Sequence, residues 1–137
     1  MTWKIEYFER PDGTQPAELF EDELARQHPK LLGKLLRALD ALADHGPQAG
    51  GGLVEACHGY PGLWEVRVIF AQTLARDLFG FDGATAVLVH GYVKRAGMPA
   101  SPSDLKRAAA FWHEYLRTRH VSSELPANAD QGTSLQG

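Results

Sequence analysis

The sequence predicts an α+β fold in a single domain, on the basis of three observations. In the first half, a short alternating run precedes two segments in which apolar residues recur at helical spacing. In the second half, four β-rich runs are joined by short links, which favours an antiparallel meander. A capped helix follows the last run. The predicted order is therefore β-α-α-β-β-β-β-α, and 137 residues suffice for one hydrophobic core.

The first half is predicted to form a strand and a helical hairpin. Residues Trp3 to Phe8 alternate as a strand does. A first helix is predicted over Glu18–Gln27, and Pro29 is expected to open a second, because proline suits the first helical position. The second helix should stop at His45-Gly46-Pro47. Its broad apolar face comprises Leu32, Leu35, Leu36, Leu39 and Leu42.

The second half is predicted to form the meander. The glycine-rich segment 48–52 that precedes it is interpreted as a flexible connection, because no Gly-Lys-Ser/Thr follows. Asp82-Gly83 between two β-rich runs is a strong hairpin signal. The four predicted strands are Leu53–His58, Leu63–Phe70, Leu74–Phe81 and Thr85–Lys94.

A final helix and a polar tail complete the chain. Ser101-Pro102-Ser103-Asp104 combines a capping residue, proline at the first helical position and an acid three residues after the cap. The helix should reach about Arg119, with an apolar stripe of Leu105, Ala108, Trp112 and Leu116. Residues 121–137 are polar and are predicted to be disordered. The folded domain is therefore expected to span 1–120.

Charge and composition narrow the class of protein. The net charge is −3, but residues 54–120 carry 8 Lys/Arg against 6 Asp/Glu, a local excess that is compatible with nucleic-acid contact. The lone Cys57 cannot form an intrachain disulfide, and no signal peptide or membrane span is apparent, so a cytoplasmic location is expected. The histidines show no metal-ligand spacing, so neither metal nor cofactor is expected.

Charged side chains are predicted to meet on one face of the sheet. Glu65 and Arg67 should point the same way, because residues two apart on a strand share a face. Arg76, in the next strand, lies within reach. Such clustered cations need an anion, or Glu65, to neutralise them. The alternative is ordinary surface pairing, of Glu65 with Arg67 or of Asp77 with Arg76, which contributes little to stability.

The last strand and the final helix supply further polar candidates. His90, Tyr92 and Lys94 should share one face of the strand. The same alternation places Val87, Val89 and Val93 on the other face. On the helix, one stripe beside the apolar face carries Lys106, His113, Arg117 and His120. A stripe of this kind is either a nucleic-acid contact or a solvated helix face.

Four segments together resemble the Gp49-like, HigB-type toxins of the RelE/ParE superfamily. They occur in the family's order and spacing over about residues 53–117. The segments are Gly62-Leu63-Trp64-Glu65-Val66-Arg67, Ala75-Arg76-Asp77-Leu78-Phe79, Val87-Leu88-Val89-His90-Gly91-Tyr92-Val93-Lys94-Arg95 and Ser101-Pro102-Ser103-Asp104-Leu105-Lys106-Arg107-Ala108.

The resemblance implies a RelE-like microRNase fold and the toxin of a type II toxin–antitoxin pair. It implies a helix-turn-helix antitoxin as partner and mRNA, cut without a metal and usually on the ribosome, as substrate. The family's basic positions fall on Arg67, Arg76 and Lys94, with Arg95 in the place of a second lysine. Glu65 matches the family's acid.

The hypothesis that follows is RNA cleavage by 2′-hydroxyl attack on the adjacent phosphate. Arg67, Arg76 and Lys94, at the family's basic positions, would stabilise the transition state. His90, His113 and Glu65 are the candidates for the general acid and the general base, with none favoured over the others. Tyr92 could stack a base, and Arg95 with the stripe Lys106, His113 and Arg117 could bind RNA. The alternative is a ParE-like protein that poisons DNA gyrase, or a catalytically degenerate binding protein.

Overall fold

The computed structural model describes residues 2–124 and confirms the predicted α+β order. The elements are β1 (Lys4–Tyr7), α1 (Pro16–Gln27), α2 (Pro29–His45), β2 (Val54–Ala56), β3 (Trp64–Phe70), β4 (Thr73–Asp82), β5 (Thr85–Arg95) and α3 (Pro102–Glu124). A 3-10 turn over Gly46–Gln48 ends α2. Within this described part of the chain, no helix is long and apolar enough to cross a membrane.

Two helices are longer than predicted. α1 begins at Pro16 instead of Glu18, with proline at its first helical turn, where the missing N–H costs nothing. α3 begins as predicted, and the backbone N–H of Asp104 donates to the capping Ser101 Oγ. It continues to Glu124, so that residues 121–124 of the predicted tail are helical. The rest of that predicted tail, 125–137, lies outside the described residues.

The strands form one sheet in the order β1-β5-β4-β3-β2. The predicted antiparallel meander of β2 to β5 is confirmed, and β1 is added in parallel to β5. β1 pairs only with Thr85–Leu88, and β2 only with Trp64–Val66. The longer strands β3 and β5 therefore run on past their short neighbours, which leaves one end of the sheet open.

Helices cover both faces of the sheet. α1 and α2 pack on what we call the hairpin face, which includes Val66, Val68, Ala75, Phe79 and Leu88. α3 packs on the α3 face, which includes Leu63, Leu78, Val87, Val89 and Tyr92. Two glycines allow the close approach: a Cβ at Gly91 would collide with Phe20, and one at Gly80 with Trp112. Leu36, predicted to belong to the apolar face of the second helix, is 44% exposed.

A β-bulge corrects one prediction about β5. The pairing shifts between Leu78, which lies opposite His90, and Phe79, which lies opposite Leu88. Val89 is therefore the extra residue, and the alternation of faces changes phase there. As a result Val87 and Val89 pack with Tyr92 beneath α3, so their predicted placement on the other face was wrong.

The turn between β3 and β4 is strained. Phe70 pairs with Thr73, which leaves Ala71 and Gln72 as a two-residue loop, both with positive φ. Hairpin turns of this kind favour Asn-Gly, because side chains other than glycine pay for left-handed backbone. Replacing Gln72 by glycine should therefore raise the free energy of unfolding by about 1 kcal/mol in urea titration. Gln72→Ala is the control and should change little; a less stable glycine variant would contradict the assignment.

Two carboxyl groups are buried together between α1 and the sheet. Asp77 is fully buried on the hairpin face, and Glu21 is nearly so. The hydroxyl of Tyr7 donates to Glu21 Oε1 at 2.7 Å. Neither Asp77 oxygen has a partner among the described groups. Burial, followed by the nearby Glu21 carboxylate, raises the pKa of Asp77 well above its usual range, so Asp77 stays protonated beside Glu21.

Replacing Asp77 by asparagine should stabilise the protein at neutral and alkaline pH. In the unfolded chain Asp77 ionises near pH 4, whereas in the folded chain it holds its proton to higher pH. Folding stability is therefore lost as pH rises from about 4 towards the folded pKa. Asparagine removes this loss, and we expect a gain of about 1–2 kcal/mol at pH 8 that shrinks towards pH 4.

Urea unfolding of Asp77→Asn between pH 4 and pH 8.5 measures that gain. The exposed Asp22, next to Glu21 on α1, supplies the control Asp22→Asn, which should leave the pH dependence unchanged. A wild-type pH dependence that survives in Asp77→Asn would show that Asp77 is ionised in the folded protein.

Candidate functional site

An ion pair in the middle of the sheet anchors the predicted charged cluster. Arg76 Nη1 donates to Glu65 Oε1 at 3.0 Å and lies 3.4 Å from the hydroxyl of Tyr92. The side chains of Arg76 and Glu65 are only 12% and 8% exposed. Glu65 thus neutralises Arg76 away from water, one of the two outcomes left open by the sequence. The surface pairings are wrong, since Asp77 faces the other way and Glu65 bonds Arg76.

Burial sets the protonation of the groups around this pair. Desolvation raises the pKa of Glu65, and the charge of Arg76 opposes that rise. Cys57 lies behind Glu65, with its Sγ 4.0 Å from Oε1. Burial, together with the Glu65 charge, raises the pKa of the Cys57 thiol to about 12, so it is protonated at neutral pH. A thiol in this state favours a packing role over nucleophilic catalysis.

Arg67 and Lys94 lie next to the pair without carboxylate partners of their own. Arg67 is directly opposite Arg76 in the β3–β4 register. Like charges in opposed positions repel, and Glu65 forms its ion pair with Arg76 while it attracts Arg67 from a greater distance. Lys94 Nζ donates to the carbonyl oxygen of Met98. Neither cation is within 4.0 Å of an acidic oxygen in the part of the chain that the structure describes.

These cations line a cleft of about 490 Å³ at the open end of the sheet, which we call the basic cleft. Its floor is formed by β3, β4 and β5, mostly by residues of their α3 face, and its side by the loop that leads into β2. The lining includes Lys34, Gly51, Gly52, Leu53, Arg67, Val68, Ile69, Leu74, Arg76, Lys94, Ala96 and Gly97. No described residue in that lining is acidic, so the cleft is suited to an anion.

His90 lies outside the lining of the basic cleft. Its Nε2 is 2.8 Å from Asp104 Oδ1 on α3, and its ring packs edge-on against Phe111. It lines a separate open hollow with Arg10 and Arg107. The structure thus joins Arg67, Arg76 and Lys94, as predicted, but does not bring His90 to them.

The predicted RNA-binding residues are also dispersed. Tyr92 is only 6% exposed beneath α3, so it serves as a partner of Arg76 and offers no open ring for a base. Arg95 is exposed and alternates with Lys94, which directs it to the other face of β5.

The α3 stripe lies along the outside of the helix. Lys106, His113 and Arg117 are exposed there, and His113 borders a small hollow with Tyr60 and Trp112. The stripe is therefore available to solvent, outside the lining of the basic cleft. The side chain of His120 lies outside the described residues.

Sequence reasoning missed Lys34 and assigned the glycine-rich loop no part in the site. Lys34 is half-buried on α2, far from the motif segments in sequence, and it lines the basic cleft with Arg67. Gly51 and Gly52, in the segment predicted to be a flexible connection, form part of the same lining. The sequence did indicate that Lys34 has no acidic partner on its own helix. The positions one turn away are Lys30, Leu31, Arg37 and Ala38, and none of them is acidic.

The basic cleft can bind a phosphodiester and stabilise added negative charge on it. Arginine presents a fork that matches two phosphate oxygens, and lysine supplies a compact charge. Donors held in place by the sheet need no reorganisation when charge develops on a bound phosphate. The site therefore has the chemistry of phosphate recognition and of phosphoryl-transfer transition states.

Comparison with known proteins identifies the family of the chain. A family model described as "Phage derived protein Gp49-like (DUF891)" matches residues 22–112, which run from the middle of α1 to the middle of α3 and include every described cation of the basic cleft. No curated protein matches the chain. Because the match covers 91 of 137 residues, the chain belongs to the Gp49-like family of phage-derived proteins, a RelE-like family of type II toxins that act with an antitoxin partner.

Proposed function

We propose that the protein is a metal-independent mRNA endoribonuclease with a RelE-like microRNase fold. The observation that carries this proposal is the basic cleft, where Arg67 and Lys94 lack carboxylate partners while Glu65 holds Arg76 in place. Uncompensated cations gathered at one cleft cost free energy unless an anion occupies it. The phosphodiester of single-stranded RNA is an anion of the right shape, and the toxin family makes RNA cleavage the best-supported activity.

The proposed step is transesterification of the RNA backbone. The 2′-oxygen attacks the adjacent phosphorus, and the bond from phosphorus to the 5′-oxygen breaks. The products are a 2′,3′-cyclic phosphate and a 5′-hydroxyl. Arg67 stabilises the charge that develops on the phosphoryl oxygens, and the ammonium of Lys94 donates a proton to the departing 5′-oxygen. The 2′-hydroxyl proton passes to water, since no described His, Asp or Glu lines the cleft.

The partners follow from the same proposal. The substrate is mRNA, engaged on the translating ribosome in the cytoplasm, so that cleavage stops translation. The antitoxin is a small helix-turn-helix protein that covers the basic cleft and represses its own operon. The open end of the sheet leaves the cleft accessible to both partners.

Mapping of mRNA ends after brief induction tests the proposed function. New 5′ ends that appear with the wild type, and not with Arg67→Ala, would support it. Growth arrest with intact mRNA and with DNA trapped in gyrase complexes would replace it by a gyrase-poisoning function. Absence of both arrest and cleavage, in a protein shown to be folded, would identify a degenerate binding protein.

A further inference from the structure

Among the described residues that line the basic cleft, Lys34 is the one cation that comes from the helical hairpin. α2 packs on the hairpin face through Leu31 and Leu35, both buried. Lys34 stands beside them, half-buried, and reaches the side of the cleft formed by the loop before β2. It therefore approaches the cleft from a different direction than Arg67 and Lys94, which rise from its floor.

The charge of Lys34 has no compensation in the part of the chain that the structure describes. No carboxylate oxygen lies within 4.0 Å of its ammonium group. The residues one turn away on α2, Lys30 and Arg37 among them, include no acid. A half-buried lysine in this setting loses part of its hydration and gains nothing in the free protein, so a bound anion is its missing partner.

The size of the cleft indicates more than a single phosphate. At about 490 Å³ it falls within the range of sites that enclose whole small ligands, about 300–1,000 Å³. Arg67, Arg76 and Lys94 come from adjacent strands of the sheet, whereas Lys34 comes from α2, so the cleft presents cations from two separate elements. A chain of phosphates supplies a second anion at a fixed spacing.

We propose that Lys34 binds a phosphate adjacent to the scissile one, so that the basic cleft holds a stretch of single-stranded RNA backbone spanning at least two phosphates. This inference rests on the proposed ribonuclease function and deepens it by assigning the path of the substrate. Lys34 is a binding and positioning residue for the strand, while Arg67 and Lys94 act on the reacting phosphate.

Binding to an uncleavable RNA tests the role of Lys34. The probe is a short fluorescent oligoribonucleotide of mixed sequence with 2′-O-methyl groups, which removes the attacking hydroxyl. The variant is Lys34→Met, which keeps the apolar stem of the side chain and removes the charge. Lys30→Met is the matched control, because it removes the same charge from the same helix at an exposed position beside Phe70.

The expected results are a weaker affinity and a smaller salt dependence for Lys34→Met alone. Each phosphate contact to a single strand contributes about 0.7 to the slope of log affinity against log salt. Lys34→Met should therefore lower that slope by about 0.7 and weaken binding roughly fivefold at moderate salt. Lys34→Arg should restore both, and Lys30→Met should match the wild type.

Two other outcomes would overturn the inference in distinguishable ways. Equal slopes for Lys34→Met, Lys30→Met and the wild type, with clear RNA binding by all three, would exclude Lys34 from the RNA path and leave the proposed function standing. Failure of the wild type to bind the RNA even at low salt would count against both, and an acidic segment of a protein partner would then be the better occupant of the cleft.

Discussion

Replacing Arg67 by alanine should lower the rate of RNA cleavage about 100- to 1,000-fold while leaving the fold intact. Removing one preorganised donor from a developing oxyanion typically costs about 2.7–4 kcal/mol of transition-state stabilisation. Arg67 meets the conditions for such a donor, because it lines the basic cleft and no described carboxylate oxygen lies within 4.0 Å of its guanidinium group. Its removal should also relieve the repulsion with the opposed Arg76, so stability should change by less than about 1 kcal/mol.

Rates of mRNA cleavage in a translating extract, measured with equal amounts of folded protein, check this result. Arg95→Ala is the matched control, since it removes an arginine of β5 that points away from the cleft. The control should retain cleavage within a small factor of the wild type. If Arg67→Ala also cleaves at the wild-type rate, the cleft is not the catalytic site, whatever the protein does to mRNA.

Replacing Arg76 by alanine should instead unfold or strongly destabilise the protein. Its partner Glu65 is 8% exposed and would lose the cation with which it forms a buried ion pair, leaving only the weaker attraction of Arg67 and Lys94. Breaking a buried ion pair by removing one partner costs about 3–5 kcal/mol. Without Arg76, which lowers the pKa of Glu65, that carboxyl group becomes harder still to ionise, so the loss should grow as pH rises.

Urea unfolding monitored by tryptophan fluorescence measures the free energy of unfolding that Arg76→Ala loses. A double-mutant cycle with Glu65→Gln separates the pair from its surroundings. The double variant should lose less stability than the two single losses added together, because the uncompensated charge is gone. If Arg76→Ala is as stable as Arg67→Ala, the Arg76–Glu65 ion pair contributes no more to stability than a solvent-exposed ion pair does. Loss of toxicity in Arg76→Ala therefore says little about catalysis until its folding is measured.

Much of the fold was predictable because its signals are local. Helical spacing of apolar residues identified α2, and the Ser101-Pro102-Ser103-Asp104 cap identified the start of α3. Short links between β-rich runs identified the meander. The bulge at Val89 changed which side chains share a face, and no local pattern signals a bulge that is set by pairing with β4.

The candidate site was predictable only in part. Alternation along β3 and β5 correctly grouped Arg67 with Lys94 around Arg76. The same reasoning grouped His90 with them, but Asp104 on α3 holds its ring in a different hollow. That contact joins residues that are 14 apart in sequence and belong to a strand and a helix, so only docking of α3 on the sheet creates it.

By itself, the sequence determined the order of the elements, the amphipathic faces of most of them and the family to which the chain belongs. Each of these depends on residues that are close together along the chain. Only the tertiary structure decided that Glu65 forms an ion pair with Arg76 and that Lys34 lines the basic cleft. It also decided that Asp77 is buried beside Glu21. The reason is physical: burial and charge pairing depend on which surfaces meet, and a side chain's neighbours across a sheet or beneath a helix are distant in sequence.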